Sequence, residues 1–479
     1  MQFNSIEYIT IFLPLVTAVW ALLRSTRFAN PFILGASIFF YASSEVWYLA
    51  PLFLTALLDY KIAQVIFNST NNKKRRQLVI ASVIANLGLL VFFKYGPWIT
   101  GKASSVALTY GIVLPVISVG LPPAISFYTF QSMSYTIDIY RREFRPYKSV
   151  SDYLSFVTFF PHLVAGPIMR ARDLLPQLAR DRALPNSDQI SLGLFMILFG
   201  LFQKIVIADN MAAVVDDITK QMPSPGSRLA PGVGLMFAYA FAFQIYCDFA
   251  AYSLIARGSA KLLNVELMQN FATPYFSQSP SEFWRRWHIS LSTWLRDYLY
   301  LPLGGNRHGH WTTCRNLMLT MVIGGIWHGA GLLFIVWGFW HGILLALYRL
   351  VPLDTWLGSY GRMGRLVATL LFFHLVCIGW IFFRATPAQI SPIFVSILGL
   401  PEVFMAGDGS QMRSYLQIIL MFGIPAFIFD WLGWRHGGEF PDGFLKLSGS
   451  SQIILSVSLF YAILFFGRRV ANEFIYFAF

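Results

Sequence analysis

Charge is scarce in this chain. Only 12% of its 479 residues are Asp, Glu, Lys or Arg, where soluble domains carry roughly 25%. Hydrophobic residues make up 56%, and mean hydropathy is +0.57. This excludes a soluble globular protein and leaves a polytopic integral membrane protein. Cysteine is also scarce. Cys247, Cys314 and Cys377 stand far apart and form no CxxC, so neither a disulfide framework nor a metal site is expected. No linker, low-complexity tract or clear repeat interrupts the chain, and one integral membrane domain over 1–479 is expected. No positive residue precedes the first apolar run, which reads as a retained span rather than a cleaved signal. The basic residues are scattered among apolar segments, which excludes nucleic acid as a partner despite a net charge of +13.

What is present is a series of apolar runs punctuated by basic loops. Lys73-Lys74-Arg75-Arg76 is the densest basic cluster and belongs in the cytoplasm by the positive-inside rule. Ile112–Ile139 reads as a span interrupted by Pro122-Pro123, with a helix starting at Pro123. Phe156–Ile168 is too short and broken to span, and reads as re-entrant or buried irregular chain. Leu317–Leu333 and Phe334–Leu350 read as two short, broken helices. Asp248, inside the run Val233–Ile255, is an intramembrane carboxylate, either functional or paired with an arginine.

Two stretches depart from ordinary membrane sequence. One runs Glu282-Phe283-Trp284-Arg285-Arg286-Trp287-His288 and on to Trp294-Leu295-Arg296-Asp297-Tyr298. Wound as one helix, Trp284, Trp287, Leu291, Trp294, Leu295 and Tyr298 share an arc of roughly 100°. Arg285, His288, Ser292 and Arg296 share a neighbouring arc. Three arginines exclude a free span, so this helix is expected at the interface or beside a wet cavity. An interfacial anchor with an aromatic belt explains the tryptophans equally well.

The other stretch is Gly324-Gly325-Ile326-Trp327-His328-Gly329. From Arg315 to His328 is about 20 Å of helix, which points to mid-bilayer. An ionisable group there is a functional candidate; the plainer alternative is a histidine bonding a neighbouring helix. The glycines at 324, 325, 329 and 331 weaken the helix and let something approach its backbone. His341 and His162 read as packing or capping residues.

Trp327-His328-Gly329 in a membrane segment resembles the membrane-bound O-acyltransferases. Ile125-Ser126-Phe127-Tyr128-Thr129-Phe130-Gln131, Phe160-Pro161-His162-Leu163-Val164-Ala165-Gly166-Pro167 and Ile207-Ala208-Asp209-Asn210 narrow the resemblance to the alginate O-acetylase-like branch. The most specific run is the unbroken Glu282–Tyr300, leading into Leu303-Gly304-Gly305-Asn306-Arg307. The resemblance is strongest over about 120–385, the expected catalytic core. There are departures. Alginate-type members usually read Tyr-Ser-Asp where this chain has Tyr252-Ser253-Leu254, and their small-residue pair reads Ala250-Ala251 here.

The resemblance implies an all-α bundle of about eleven transmembrane helices, with re-entrant and interfacial helices around a central tunnel. It implies transfer of an acetyl group from a cytoplasmic thioester, either acetyl-CoA or an acyl-carrier thioester. The group would cross the bacterial inner membrane toward an exopolysaccharide such as alginate or cellulose. A periplasmic acetyltransferase or acyl-relay protein is the implied partner, with membrane lipids around the chain. No permanently bound cofactor is expected. A neutral imidazole suits proton removal from an acceptor hydroxyl, which makes His328 the general base and His288 a second, orienting group. Trp284, Arg285, Arg286, Arg296, Asp297, Asn306 and Trp327 would bind substrate, with the arginines on donor phosphates or on lipid phosphates. The rival reading is a transporter or flippase with His328 and Asp248 as a proton relay, although paired repeats of broken helices are not seen.

Overall fold

The computed structural model describes all residues except 165, 181, 225, 407–408, 469–473 and 476–479. Ala165 of the Pro161–Pro167 motif therefore lies outside the described residues. Every element among the described residues is helical. A hydrocarbon environment offers backbone groups no water, and helices satisfy those groups internally. Among the described residues eight helices are long and apolar enough to cross a membrane, and Tyr8–Leu23, Ala29–Ala42 and Pro387–Leu398 are shorter apolar helices. The helices needed below are labelled in chain order.

The chain forms two compact units. The first comprises Met1–Leu194 and Ile255–Met268. Its long helices are α1 (Leu49–Asn68), α2 (Asn72–Leu108) and α3 (Ile125–Tyr140). Asn71 caps α2 by accepting from the Lys74 backbone N–H at 3.1 Å, so the basic cluster forms its first turn. Asp59 joins α1 to α2, accepting from Asn86 at 2.7 Å and from Ser82. The expected span from Ile112 is corrected here. Residues 112–122 have no regular structure, and the helix begins only at Ile125, after Ala124 at φ +62°. The paired prolines remove backbone donors and confine φ, so the helix starts beyond them. Val150–Thr158 and Phe160–Leu163 are two short buried helices, consistent with a segment that does not span.

The second unit comprises Phe195–Leu254 and Gln269–Phe479. It holds α4 (Asp209–Lys220) and most of α5 (Val233–Leu262). After these come α6 (Pro280–Arg286), α7 (Ile289–Leu295), α8 (Gly309–His328) and α9 (Leu332–Leu350). The last two labelled are α10 (Gly361–Arg384) and α11 (Ser410–Arg435). A π-helical turn, Gln203–Ala208, leads into α4. The wider turn brings Lys204 over Asp209, Nζ to Oδ1 2.8 Å, and Asp248 of α5 closes on the same ammonium at 3.0 Å.

α8 and α9 form a tight hairpin. Neither is broken, contrary to the sequence expectation; the break is confined to the turn at 329–331 between them. The glycines explain the close packing. A methyl group on Gly325 would strike the Phe334 carbonyl oxygen, and one on Gly338 would sit 2.9 Å from the Val322 Cα. On Gly342 it would lie 3.1 Å from the Met318 Cα. What approaches the α8 backbone is thus the backbone of α9, the small-residue packing that membrane helices use in place of a hydrophobic driving force.

Candidate functional site

The arginine–tryptophan stretch is not one helix. α6 ends at Arg286, and His288 takes the left-handed conformation, φ +42° and ψ +56°, before α7 begins. No glycine or proline marks this break. Its cause lies eighteen residues upstream. The Asn270 side-chain oxygen accepts from Ser290 N–H at 3.2 Å and from Ser290 Oγ at 2.9 Å, and stands 3.2 Å from His288 Nδ1. The Asn270 backbone carbonyl accepts from Ile289 N–H at 2.9 Å. One asparagine thus stitches the break at four points.

That geometry also sets the tautomer of His288. The Ser290 N–H can only donate, so the atom facing it must be the Asn270 oxygen and not its NH2. The same oxygen faces His288 Nδ1, which must then carry the proton, leaving Nε2 as the basic nitrogen. His288 is fully buried, with the Phe249 ring edge-on at 4.6 Å. Burial pushes its pKa down to about 3, so the ring is neutral at physiological pH.

His328 ends α8. Its ring lies 4.9 Å from Trp327, 4.9 Å from Trp337 and 5.1 Å from Phe383, and the residue is 5% exposed. α8 is 20 residues long, about 30 Å, and the imidazole stands at its C-terminal end, a correction to the mid-bilayer depth expected for it, since α8 is not among the helices long and apolar enough to span. Trp327 joins the two expected catalytic residues, with ring centroids 6.3 Å from His288 and 4.9 Å from His328. His341 sits on the other side of Trp337 at 4.9 Å, enclosed also by Phe283, Trp284 and Trp380. Among the described residues neither of its ring nitrogens has a hydrogen-bond partner. The packing role expected of it accounts for the rings but leaves two buried polar nitrogens unanswered.

Beside this cluster lies a cavity of about 680 Å³. Trp284, Arg285, Ser292, Arg296, Thr320 and Arg349 are among its walls. Three of the four residues expected on one helical arc, Arg285, Ser292 and Arg296, do share this cavity. The fourth, His288, turns away because the chain breaks there. The cavity wall includes Met321 but not His328, which lies seven residues further, about 10 Å along α8. Arg349 is the basic residue that sequence reasoning missed, because it closes an apolar run and carries no motif. Arg296 is paired with Asp297 by two hydrogen bonds of 2.7 and 3.2 Å, which raise its already high pKa.

Other candidates go elsewhere. Arg286 does not line the cavity. It pairs with Glu282 at 2.9 Å and donates to Ala272 O and Thr273 Oγ1, both at 3.2 Å, holding the loop that carries Asn270. Asn306 is exposed and outside the cavity. His162 is a satisfied core histidine, with Nε2 on Phe156 O at 2.9 Å and Nδ1 on Gln131 Nε2 at 2.8 Å. Asp248 has a lysine partner, Lys204, where an arginine was the alternative, and also accepts from Ile475 N–H at 2.8 Å.

A buried imidazole about 10 Å along α8 from an arginine-walled cavity suits transfer of an activated group within a polytopic membrane protein. Residues 140–353, which include both histidines and the cavity arginines Arg285, Arg296 and Arg349, match the family described as MBOAT, membrane-bound O-acyltransferase family. The chain is 39% identical to a probable alginate O-acetylase of Pseudomonas putida over 388 residues, 80% of this chain and 77% of that protein. It is 35% identical to a peptidoglycan O-acetyltransferase of Helicobacter pylori over 447 residues, 87% of this chain and 83% of that one. Similarity to a teichoic acid D-alanyltransferase of Bacillus subtilis is 27% over 252 residues, 49% and 61% of the two chains. The chain belongs to the membrane-bound O-acyltransferase family and is an O-acetyltransferase.

Proposed function

We propose that the protein carries acetyl groups from a cytoplasmic thioester, acetyl-CoA or an acyl-carrier thioester, to a hydroxyl on the far side of a bacterial inner membrane. Residues 120–385 form its catalytic core. The acceptor hydroxyl attacks the thioester carbonyl while His328 removes its proton. The C–S bond breaks, and the leaving thiolate takes that proton from the imidazolium. His288, held in one tautomer by Asn270, orients the reacting groups. Arg285, Arg296 and Arg349 hold the donor phosphates. No permanently bound cofactor takes part.

The observation that carries this reading is the placement of His328, shielded by Trp327, Trp337 and Phe383 and about 10 Å along α8 from the arginine cavity. The alginate and peptidoglycan O-acetyltransferases among the relatives support an extracytoplasmic glycan as the final acceptor, reached directly or through a periplasmic acetyltransferase partner. The transporter reading is disfavoured because the Asp248 carboxylate is tied to Lys204 and to a backbone N–H.

The test is purified protein in liposomes with acetyl-CoA or an acetylated carrier protein, each labelled in the acetyl group. Wild type is expected to release the donor thiol and transfer label. His328→Ala is expected to be at least about 100-fold slower. Equal transfer by that variant sinks the assignment of the base.

A further inference from the structure

His341 has no part in the chemistry above. It is fully buried, and among the described residues neither ring nitrogen has a hydrogen-bond partner. Four aromatic rings enclose it, Phe283 at 6.0 Å, Trp284 at 5.2 Å, Trp337 at 4.9 Å and Trp380 at 6.3 Å. A bare cation sealed among them would be costly, so the imidazole is uncharged, with one N–H donor and one acceptor nitrogen. The indole N–H groups of Trp284 and Trp337 are also buried without partners among the described residues. Such groups are rare in folded proteins, and several in one cluster point to a ligand that completes them. Gly379 of α10 keeps the place open, since a methyl group there would lie 2.9 Å from His341 Nε2.

The ring stands on the way from the arginine cavity to His328. Along the hairpin Gly338 packs against Met321 and Gly342 against Met318. His341 is therefore level with Met321, which belongs to the cavity wall. Trp284 is part of that wall too, and its single side chain separates His341 from the cavity. On the far side Trp337 touches both His341 and His328, each at 4.9 Å. A donor with its phosphates on Arg285, Arg296 and Arg349 and its thioester at His328 runs past Trp284, His341 and Trp337, with the Trp284 indole swung aside. Acetyl-CoA and an acetylated carrier protein share the same arm between phosphate and sulfur, an alkyl chain that carries secondary amides. A secondary amide has one N–H and one carbonyl oxygen, the complement of a neutral imidazole, and an indole N–H is a further donor to a carbonyl.

We infer that His341 binds an amide of the donor arm, with the Trp284 and Trp337 N–H groups as supporting donors, and so sets how far the thioester reaches toward His328. The inference rests on the proposed acetyl transfer and adds the group that recognises the donor between its two ends.

The experiment compares S-acetylpantetheine with an analogue in which CH2–CH2 replaces each amide, as acetyl donors to the full-length protein in liposomes. Wild type is expected to show a kcat/KM about tenfold or more higher for the amide donor, the effect of hydrogen bonds made in the reacting complex. His341→Phe and His341→Leu fill the space without a nitrogen, and whichever is folded by thermal unfolding is expected to use the two donors equally. His341→Gln keeps a donor and an acceptor and is expected to keep the preference. CoA and holo-carrier protein, each with its thiol methylated, are tested as inhibitors of the S-acetylpantetheine reaction, which distinguishes the two sources of the arm. A role in packing alone would slow both donors by one factor and leave the preference intact. That result, inhibition by neither arm-bearing molecule, or equal use of both donors by wild type overturns the inference. Wild type that transfers from no thioester, acetyl-CoA included, fails the proposed function itself and takes the inference with it.

Discussion

Asn270 and His288 are eighteen residues apart in the chain and 3.2 Å apart in space, Oδ1 to Nδ1. The oxygen that receives the imidazole proton also receives both donors of Ser290. One side chain therefore fixes a backbone break and the chemical form of a buried base. Asn270→Asp keeps the acceptor but adds a negative charge. A carboxylate there favours the imidazolium, raising the His288 pKa from about 3. The acid limb of the pH–rate profile for acetyl transfer is expected to move to higher pH. A profile identical to wild type would show that His288 does not report on the reaction.

The same ring links stability to pH. Its folded pKa of about 3 lies below the ordinary value of 6.5. Between those values the unfolded chain binds a proton that the folded chain does not. The contribution is complete above pH 6.5 and is lost as pH falls toward 3, by up to about 1.4 kcal/mol per pH unit. His288→Gln is expected to flatten this part of the stability–pH curve, measured by thermal unfolding in detergent. An unchanged slope would assign the effect to other groups.

Neighbouring glycines on α8 separate two roles. Gly325→Ala would drive a methyl group into the Phe334 carbonyl, whereas at Gly324 the same group meets only the Leu295 Cδ1, at 3.4 Å. Gly325→Ala is expected to lose about 1–3 kcal/mol or fail to fold, while Gly324→Ala is expected to extract and melt like wild type. Equal behaviour of the two variants in size-exclusion and melting assays would contradict the hairpin packing.

Arginines in and out of the cavity should differ in kind. Arg349→Gln removes a charge from the cavity wall and is expected to raise the donor KM about tenfold. Arg286→Gln removes the tie on Ala272 and Thr273 and is expected to lower the melting temperature. Steady-state kinetics beside melting curves distinguish them, and a larger donor KM change for Arg286→Gln would reverse the assignment.

Lys204 answers two buried carboxylates, Asp209 and Asp248. Lys204→Met leaves both uncompensated and is expected to cost about 3–5 kcal/mol. The triple variant Lys204→Met/Asp209→Asn/Asp248→Asn should recover much of that loss. If Lys204→Met melts with wild type, the triad is not structural.

Much of this was legible from residues alone. Apolar runs gave the helices, because a membrane segment must satisfy its own backbone. Arg285, Ser292 and Arg296 do line one cavity, as the periodicity suggested, although the single helix it assumed breaks at His288 and the helix expected over Leu317–Leu333 ends at His328. The break at His288 did not follow, since its cause is a tertiary bond to Asn270 and no local residue signals it. Arg349 and Lys204 were missed for the same reason. Each gains its role from a segment distant in sequence, and neither sits in a recognisable motif. The stretch at 112–122 reads as helix by hydropathy, which cannot see that its backbone is paired by side chains of the preceding helix, Ile117 N–H on Thr100 Oγ1 and Leu114 O on Ser104 Oγ.

Because the backbones of α8 and α9 touch along their glycines, the hairpin cannot hinge between Met318 and Phe334 without tearing that seam. His328, the proposed base, is mounted on a beam. If the proposed site is correct, room for a bulkier acyl chain comes from rotating indoles, Trp284 and Trp337 first among them, and not from movement of the scaffold.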